Sequence, residues 1–243
     1  MHRFFLDVSN KTDVGDLIEI TGEDHQHISK VLRMKQGENL VACSENETEY
    51  LCEVFEISRN LTIAKVIGIQ QNQSEMKVKT VLYQGLPKGQ KMETIIQKCV
   101  ELGIDEIVPI VTMRTVVKLT DSNKKVVRWN KISLEASKQS GRGKVPLVRE
   151  PLDLKDALAL LKNNTVNIVA FEKEIKSLKN VFSDCSKPEK IGIIIGPEGG
   201  FDEAEIEMLK DRGVISISLG KRILRTETAG MALLSMIVYQ YEL

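Results

Sequence analysis

No histidine follows His27 in this chain of 243 residues. Proton transfer anywhere beyond it falls to carboxylates, to a guanidinium, or to no dedicated side chain. Long apolar runs are also missing. The most apolar stretch, Ala229 to Tyr241, is shorter than a membrane span. The first ten residues, MHRFFLDVSN, contain no signal-peptide core. A cytoplasmic protein is therefore expected, with no membrane partner. The four cysteines, Cys43, Cys52, Cys99 and Cys185, form no C-x-x-C pair and have no His at ligand spacing. They are expected to be buried reduced thiols, with no metal site and no disulfide frame. Net charge is absent too, because 34 basic residues balance 34 acidic ones. That average conceals a bias. Thr112 to Arg149 carries ten Lys or Arg against Asp121 and Glu135, a net of +8. Such a local field suits nucleic-acid phosphate, although a solvated lysine-rich face would look the same.

What the chain does have is concentrated in Ile191 to Ala229. Ile191 to Ile195 is a β-branched run that predicts a strand buried on both faces. It opens into Gly196-Pro197-Glu198-Gly199-Gly200, a loop with little bulk and free backbone access. Asp202 and Glu205 have the spacing of a capping box. The helix they start should stop at Gly213. A second strand, Val214 to Leu219, ends at Gly220, and a final helix begins near Thr226. Two adjacent strands opening into glycine loops at their carboxyl ends mark the ligand edge of an α/β sheet. Neither loop matches G-x-G-x-x-G or G-x-x-x-x-G-K-[ST]. Gly141-Arg142-Gly143-Lys144 follows a helical segment, not a strand, and is discounted. A dinucleotide or triphosphate is therefore disfavoured, and an adenosine with little phosphate fits better.

Two grammars divide the remainder. Residues 1–70 read as short strands (Asp16 to Thr21, Leu40 to Cys43, Tyr50 to Ile57, Leu61 to Ile69), which suggests a small barrel. One helix, Asp24 to Met34, interrupts them. Ile28, Val31 and Leu32 lie on its apolar side, and Lys30, Arg33 and Lys35 on the other. His25 and His27 on this helix receive no chemical role. Gln70 to Lys77 is polar and serves as the linker. From residue 75 onward strands and helices alternate, which predicts a parallel sheet. Strands are expected at Val78 to Gln84, Ile107 to Val111 and Val166 to Phe171. Helices are expected at Lys91 to Leu102, at Val126 to Gln139, and from an Asp153 cap to Leu161. The last helix, Glu227 to Tyr241, is apolar on nearly every face, which predicts burial on all sides.

HRFFL, HISKVLRMKQGE, KGQKMETIIQKCVELGIDEIVPI, RWNKISLEASKQSGR, GPEGGFDEAEIE and LGKRILRTETA together resemble the RsmE family over nearly the whole chain. These are SPOUT-class methyltransferases acting with S-adenosylmethionine on N3 of a uridine in 16S ribosomal RNA. The resemblance implies an α/β fold with a SPOUT-type parallel sheet and a C-terminal trefoil knot, preceded by a small PUA-like β-barrel domain. Nothing in periodicity indicates the knot, and knots are close to absent as a prior. The implied partners are 16S ribosomal RNA, free or within the small subunit, and a second copy in a homodimer.

The resemblance also places the cofactor on three loops, here Phe171 to Lys173, Gly196 to Gly200 and Leu219 to Leu224. The candidate cofactor-binding residues are Phe171, Glu172, Ile195, Gly196, Gly199, Gly200, Leu219, Gly220, Ile223 and Leu224. A uridine imide must lose its proton, and its oxygens gain charge. That requirement points to Glu198 as base and to Arg225 as oxyanion donor. Arg3 is a third catalytic candidate, since an N-terminal residue can reach a site at a dimer interface. Glu227 is weighed both as a base and as a helix N-terminal charge. Lys30, Arg33, Lys35, Arg114, Arg142 and Lys144 are the candidate RNA contacts. Two other readings stay open at this point: a non-catalytic ribosome-associated RNA-binding protein, and a methyltransferase of the same fold acting on transfer RNA.

Overall fold

In the computed structural model, residues 1–9, 11–44, 46–117, 122–184 and 188–243 are described. Lys118, Asp121 and Cys185, which entered the sequence reading, lie outside them. The chain divides into two compact units, residues 1–75 with 137–145, and residues 76–136 with 146–243.

The first unit is a five-stranded sheet in the order β1-β3-β4-β5-β2. Its strands are β1 His2–Phe5, β2 Leu17–Ile20, β3 Asn39–Cys43, β4 Thr48–Ile57 and β5 Thr62–Gln71. β1 pairs with β3 in parallel and the other ladders are antiparallel. Among the described residues no ladder joins β1 to β2, so the barrel is open on that side. Its core is formed by Phe4, Ile20, Ile28, Leu40, Cys52, Val54 and Val66, each at most 1 % exposed.

The expected Asp24 to Met34 helix is shorter and wound differently. α1, Gly22–Gln26, passes into a π-helical turn, His27–Leu32, and ends at Arg33 in the left-handed region (φ 53°). The wider winding rotates Val31 out of the apolar stripe, so it is exposed while Ile28 is buried. Lys30, Arg33 and Lys35 are all exposed. His25 is buried, with Nδ1 2.8 Å from the Thr62 hydroxyl, as befits a structural histidine.

The second unit is an all-parallel sheet in the order β12-β10-β11-β6-β7-β8, with β9 alongside β7. In chain order its elements are β6 Lys79–Gly85, α2 Lys91–Glu101, β7 Glu106–Val111, α3 Ser122–Ser140, β8 Leu147–Val148, β9 Leu152–Asp153 and α4 Leu154–Leu161. They continue as β10 Val166–Ala170, α5 Leu178–Asp184, β11 Lys190–Ile195, α6 Glu203–Lys210, β12 Ile215–Ile217 and α7 Thr226–Tyr241. Side chains alternate across the strands. Leu82, Ile168, Ile193 and Ile217 pack toward α2, α3, α5 and α7, whereas Val81, Tyr83, Val169 and Ile194 pack toward α4 and α6. In α2 all five expected residues, Met92, Ile95, Ile96, Cys99 and Val100, are buried, and Gly103 follows at φ 98°.

Two local expectations change. Asp153 occupies the N-cap of α4 without a side-chain cap bond. α7 is not enclosed on all sides within one chain. Leu233, Leu234 and Ile237 are buried, but Met236 is 41 % and Tyr239 74 % exposed. Among the described residues no helix is long and apolar enough to cross a membrane. Cys43, Cys52 and Cys99 are buried free thiols, and burial pushes Cys99 up to about 12.

Candidate active site

A cavity of about 530 Å³ opens at the carboxyl ends of the neighbouring strands β12, β10 and β11. Its lining brings together all ten candidate cofactor residues: Phe171, Glu172, Ile195, Gly196, Gly199, Gly200, Leu219, Gly220, Ile223 and Leu224. Glu198, Arg225 and Glu227 line it as well, as does Lys91 from the first turn of α2. Every lining residue belongs to the second unit.

The glycine loop is held from three directions. The Gly200 N–H donates to the Pro197 carbonyl at 2.9 Å, closing a turn in which Gly200 adopts φ 68°. Buried Thr226 donates its hydroxyl to the Gly196 carbonyl at 2.6 Å and accepts from Gln84 Nε2 at 2.8 Å. The first turn of α7 is thereby tied to the loop and to the end of β6. Arg114 donates to the Gly199 carbonyl at 3.0 Å and to Asp202 at 3.1 Å. The capping box of α6 is present, and buried Glu205 also accepts the Met113 N–H at 2.8 Å. At Gly85 an added Cβ would lie 2.4 Å from Pro197 N, so the loop passes directly over the end of β6.

Gly199 lends the loop space, not a special backbone angle. It has no positive φ, and its missing Cβ faces Arg114 at 3.1 Å. Gly200 and Gly220 (φ 109°) are the two positions here that require left-handed backbone.

Three of the candidate residues are engaged by partners within the chain. Glu198 accepts from Lys91 Nζ at 2.8 Å and from the Lys88 N–H at 3.0 Å. Burial pushes its carboxyl up, but those donors outweigh burial and hold it below the usual carboxylate range. A carboxylate stabilised in its ionised form is a poor proton acceptor. Arg3 is absent from the pocket lining. It belongs to the first unit, where its Nη1 is 2.5 Å from Glu49 Oε1 and 3.0 Å from Cys43 Sγ. Arg142 is 2 % exposed and forks onto Glu75, with Nη2 to Oε2 at 2.5 Å and Nε to Oε1 at 3.1 Å. It is a buried structural cation, not a phosphate contact. Lys144 lies 3.6 Å from both Glu47 and Glu75.

Arg225, by contrast, is exposed at the N-cap of α7, and no hydrogen bond or ion pair engages its guanidinium among the described residues. Glu227 Oε2 is out of solvent contact and has no hydrogen-bond partner.

Reasoning from sequence missed Lys91, Gln84 and Thr226. Lys91 did carry a signal, since a cation on the first turn of a helix opposes the helix dipole. Gln84 carried another, as a polar residue inside an otherwise apolar parallel strand.

A parallel α/β unit with its pocket on three adjacent strand ends, in one chain with a small β unit, is the composition of an RNA methyltransferase with an accessory PUA domain. The RNA methyltransferase domain family matches residues 74–238, and the RNA methyltransferase PUA domain family matches residues 20–67. The ribosomal RNA small subunit methyltransferase E of Bacillus subtilis is 38 % identical over 100 % of this chain and 98 % of its own. That of Mesomycoplasma hyopneumoniae is 37 % identical over 97 % of this chain and 98 % of its own. A crystal structure of the Neisseria gonorrhoeae ribosomal RNA small subunit methyltransferase E bound to S-adenosyl methionine superposes with a TM-score of 0.88 at 28 % identity, covering 99 % of this chain and 98 % of that one. The chain belongs to the ribosomal RNA small subunit methyltransferase E family.

Proposed function

We propose that this chain transfers a methyl group from S-adenosylmethionine to N3 of a uridine in 16S ribosomal RNA. The observation that carries the reading is the convergence of three sequence-distant loops on one cavity. The pocket suits the cofactor. Ile195, Leu219 and Leu224 offer apolar walls for an adenine, and Gly196 and Gly200 leave backbone within reach of a ligand. When bound, the cofactor supplies an activated methyl group with its leaving group attached. The protein's share is orientation and electrostatics. Arg225, on the rim with an unengaged guanidinium, holds the uracil oxygen on which negative charge develops. Lys30, Arg33 and Lys35 contact RNA backbone. Arg114 and Lys144 keep that role only secondarily, since each is paired within its own unit.

A homodimer is part of the same reading. Its support is the α7 face bearing Met236 and Tyr239, which one chain leaves exposed. The knotted arrangement of the C-terminal segment also belongs to it, and rests on the family to which the chain belongs. The test is direct. The protein is incubated with labelled S-adenosylmethionine and either free 16S RNA or assembled small subunits, and nucleosides are resolved by mass spectrometry. N3-methyluridine at a single position is expected. Label in transfer RNA instead, or cofactor binding without any transfer, would overturn the assignment.

A further inference from the structure

We propose that Lys91, Glu198 and Glu227 form the subsite for the amino-acid end of S-adenosylmethionine, with Glu227 receiving its ammonium group. This rests on the methyltransferase reading and names the part of the cofactor that these three residues select.

The three side chains come from the first turn of α2, the glycine loop and the first turn of α7, and all line the same cavity. Lys91 Nζ is 2.8 Å from Glu198 Oε1 and 4.0 Å from Glu227 Oε2. Glu198 is satisfied by Lys91 together with the Lys88 N–H. Glu227 is not, because its Oε2 is shut off from water and accepts no hydrogen bond. A desolvated carboxylate oxygen without a donor is costly, so the arrangement calls for a donor from outside the chain. The cluster is also short of one positive charge, having two carboxylates and a single ammonium.

An α-amino acid supplies the missing donor. Its ammonium donates to Glu227, and its carboxylate accepts a hydrogen bond from Lys91. The other cations of the lining, Lys221, Arg222 and Arg225, are exposed at the rim, where a polyanion rather than a small zwitterion would meet them. Ile195 and Leu224 suit the nucleoside end instead.

Two ligands isolate the interaction. S-adenosylhomocysteine carries the amino-acid end, and 5′-methylthioadenosine has the same nucleoside thioether without it. Calorimetric titration of the full chain with each would compare wild type, Glu227→Gln and Lys91→Met. Glu227→Gln is expected to weaken S-adenosylhomocysteine about tenfold while leaving methylthioadenosine within about twofold. Lys91→Met should act in the same direction. Equal weakening of both ligands would mean that the trio only shapes the loop, which overturns the proposal. Unchanged affinity for both would place the Glu227 oxygen elsewhere in the reaction, against the RNA base, and overturns it as well. Should wild type bind neither ligand, the cofactor reading itself falls. Should wild type bind both, with a ratio untouched by the variants, only the subsite falls.

Discussion

Replacing Arg142 with Met tests whether the basic segment binds RNA or holds the first unit together. Met keeps much of the aliphatic volume and removes the charge. In the wild type both partners of the Arg142–Glu75 pair are nearly inaccessible, with side chains 3 % and 4 % exposed. Without the guanidinium, Glu75 retains the Gly143 N–H at 2.9 Å and Lys144 at 3.6 Å. Breaking a fully buried pair costs about 3–5 kcal/mol, because a charge is left unpaired. The two remaining donors place this case at the lower end, about 3 kcal/mol, a large share of the ~5–15 kcal/mol that typically holds a domain. Urea unfolding followed by circular dichroism reads the loss directly.

The pH dependence of that loss has a definite sign. Burial pushes the Glu75 carboxyl up, but Arg142, Lys144 and the Gly143 N–H together outweigh burial and set it below its ordinary value of 4.5. The stabilisation from this ionisation is therefore fully present above 4.5 and fades as pH falls through the lower folded value. In the variant, burial meets less opposition and the folded carboxyl moves up. The neutral acid then tolerates its site better, so the gap between variant and wild type should narrow on acidification. A variant within about 0.5 kcal/mol of wild type at neutral pH would refute the reasoning. A reduced salt slope of RNA binding alongside it would return Arg142 to the phosphate backbone.

Gly85→Ala should destabilise the second unit by about 3 kcal/mol or more, since its Cβ would meet backbone at Pro197 rather than a side chain that can swing away; thermal unfolding checks this. Gly200→Ala should cost about 1–2 kcal/mol from the left-handed backbone alone, as its Cβ meets Glu172 only at ordinary contact distance; loss of S-adenosylmethionine affinity with the fold retained is the expected reading by calorimetry. Arg225→Lys should lower the single-turnover methylation rate by about 10²–10³ while sparing cofactor affinity, because an ammonium cannot reproduce the guanidinium fork. Full rate at saturating RNA would demote Arg225 to an anchor.

Much of the fold was legible because the signals that carry it are local. The five buried positions of α2, the Asp202–Glu205 capping box and the stop before Gly213 all follow from spacing within a few residues. The three pocket loops were legible for a related reason. A strand that ends in glycine advertises open backbone whatever its distant neighbours are, and the resemblance supplied the third loop at Phe171. The departures from expectation share a different cause. Val31 was assigned by α-helical spacing, and a π-helical turn of six residues, His27–Leu32, is invisible to that periodicity. α7 looked apolar all round, yet composition cannot say which of its faces the same chain will cover.

Charge roles were the least legible, and the reason is physical. A Lys or Arg count measures the field a segment would make if each cation stood alone. What a cation does depends on the carboxylate that folding sets opposite it, and that partner is usually far away in sequence. Arg142 finds Glu75 across 67 positions, and Lys91 finds Glu198 across 107. The first pairing buries a cation that the count had assigned to the surface, and the second gives Glu198 a donor that favours its ionised form. The same geometry works in the opposite direction at Glu227 and Arg225. Arg225 has no partner among the described residues, and Glu227 Oε2 accepts no hydrogen bond, its nearest cation being Lys91 at 4.0 Å. Groups that a fold could pair and leaves unpaired are where an incoming ligand changes the free energy most. On that ground we propose that, of the candidates, Arg225 and Glu227, two residues apart and both lining the cavity, are the ones a ligand engages.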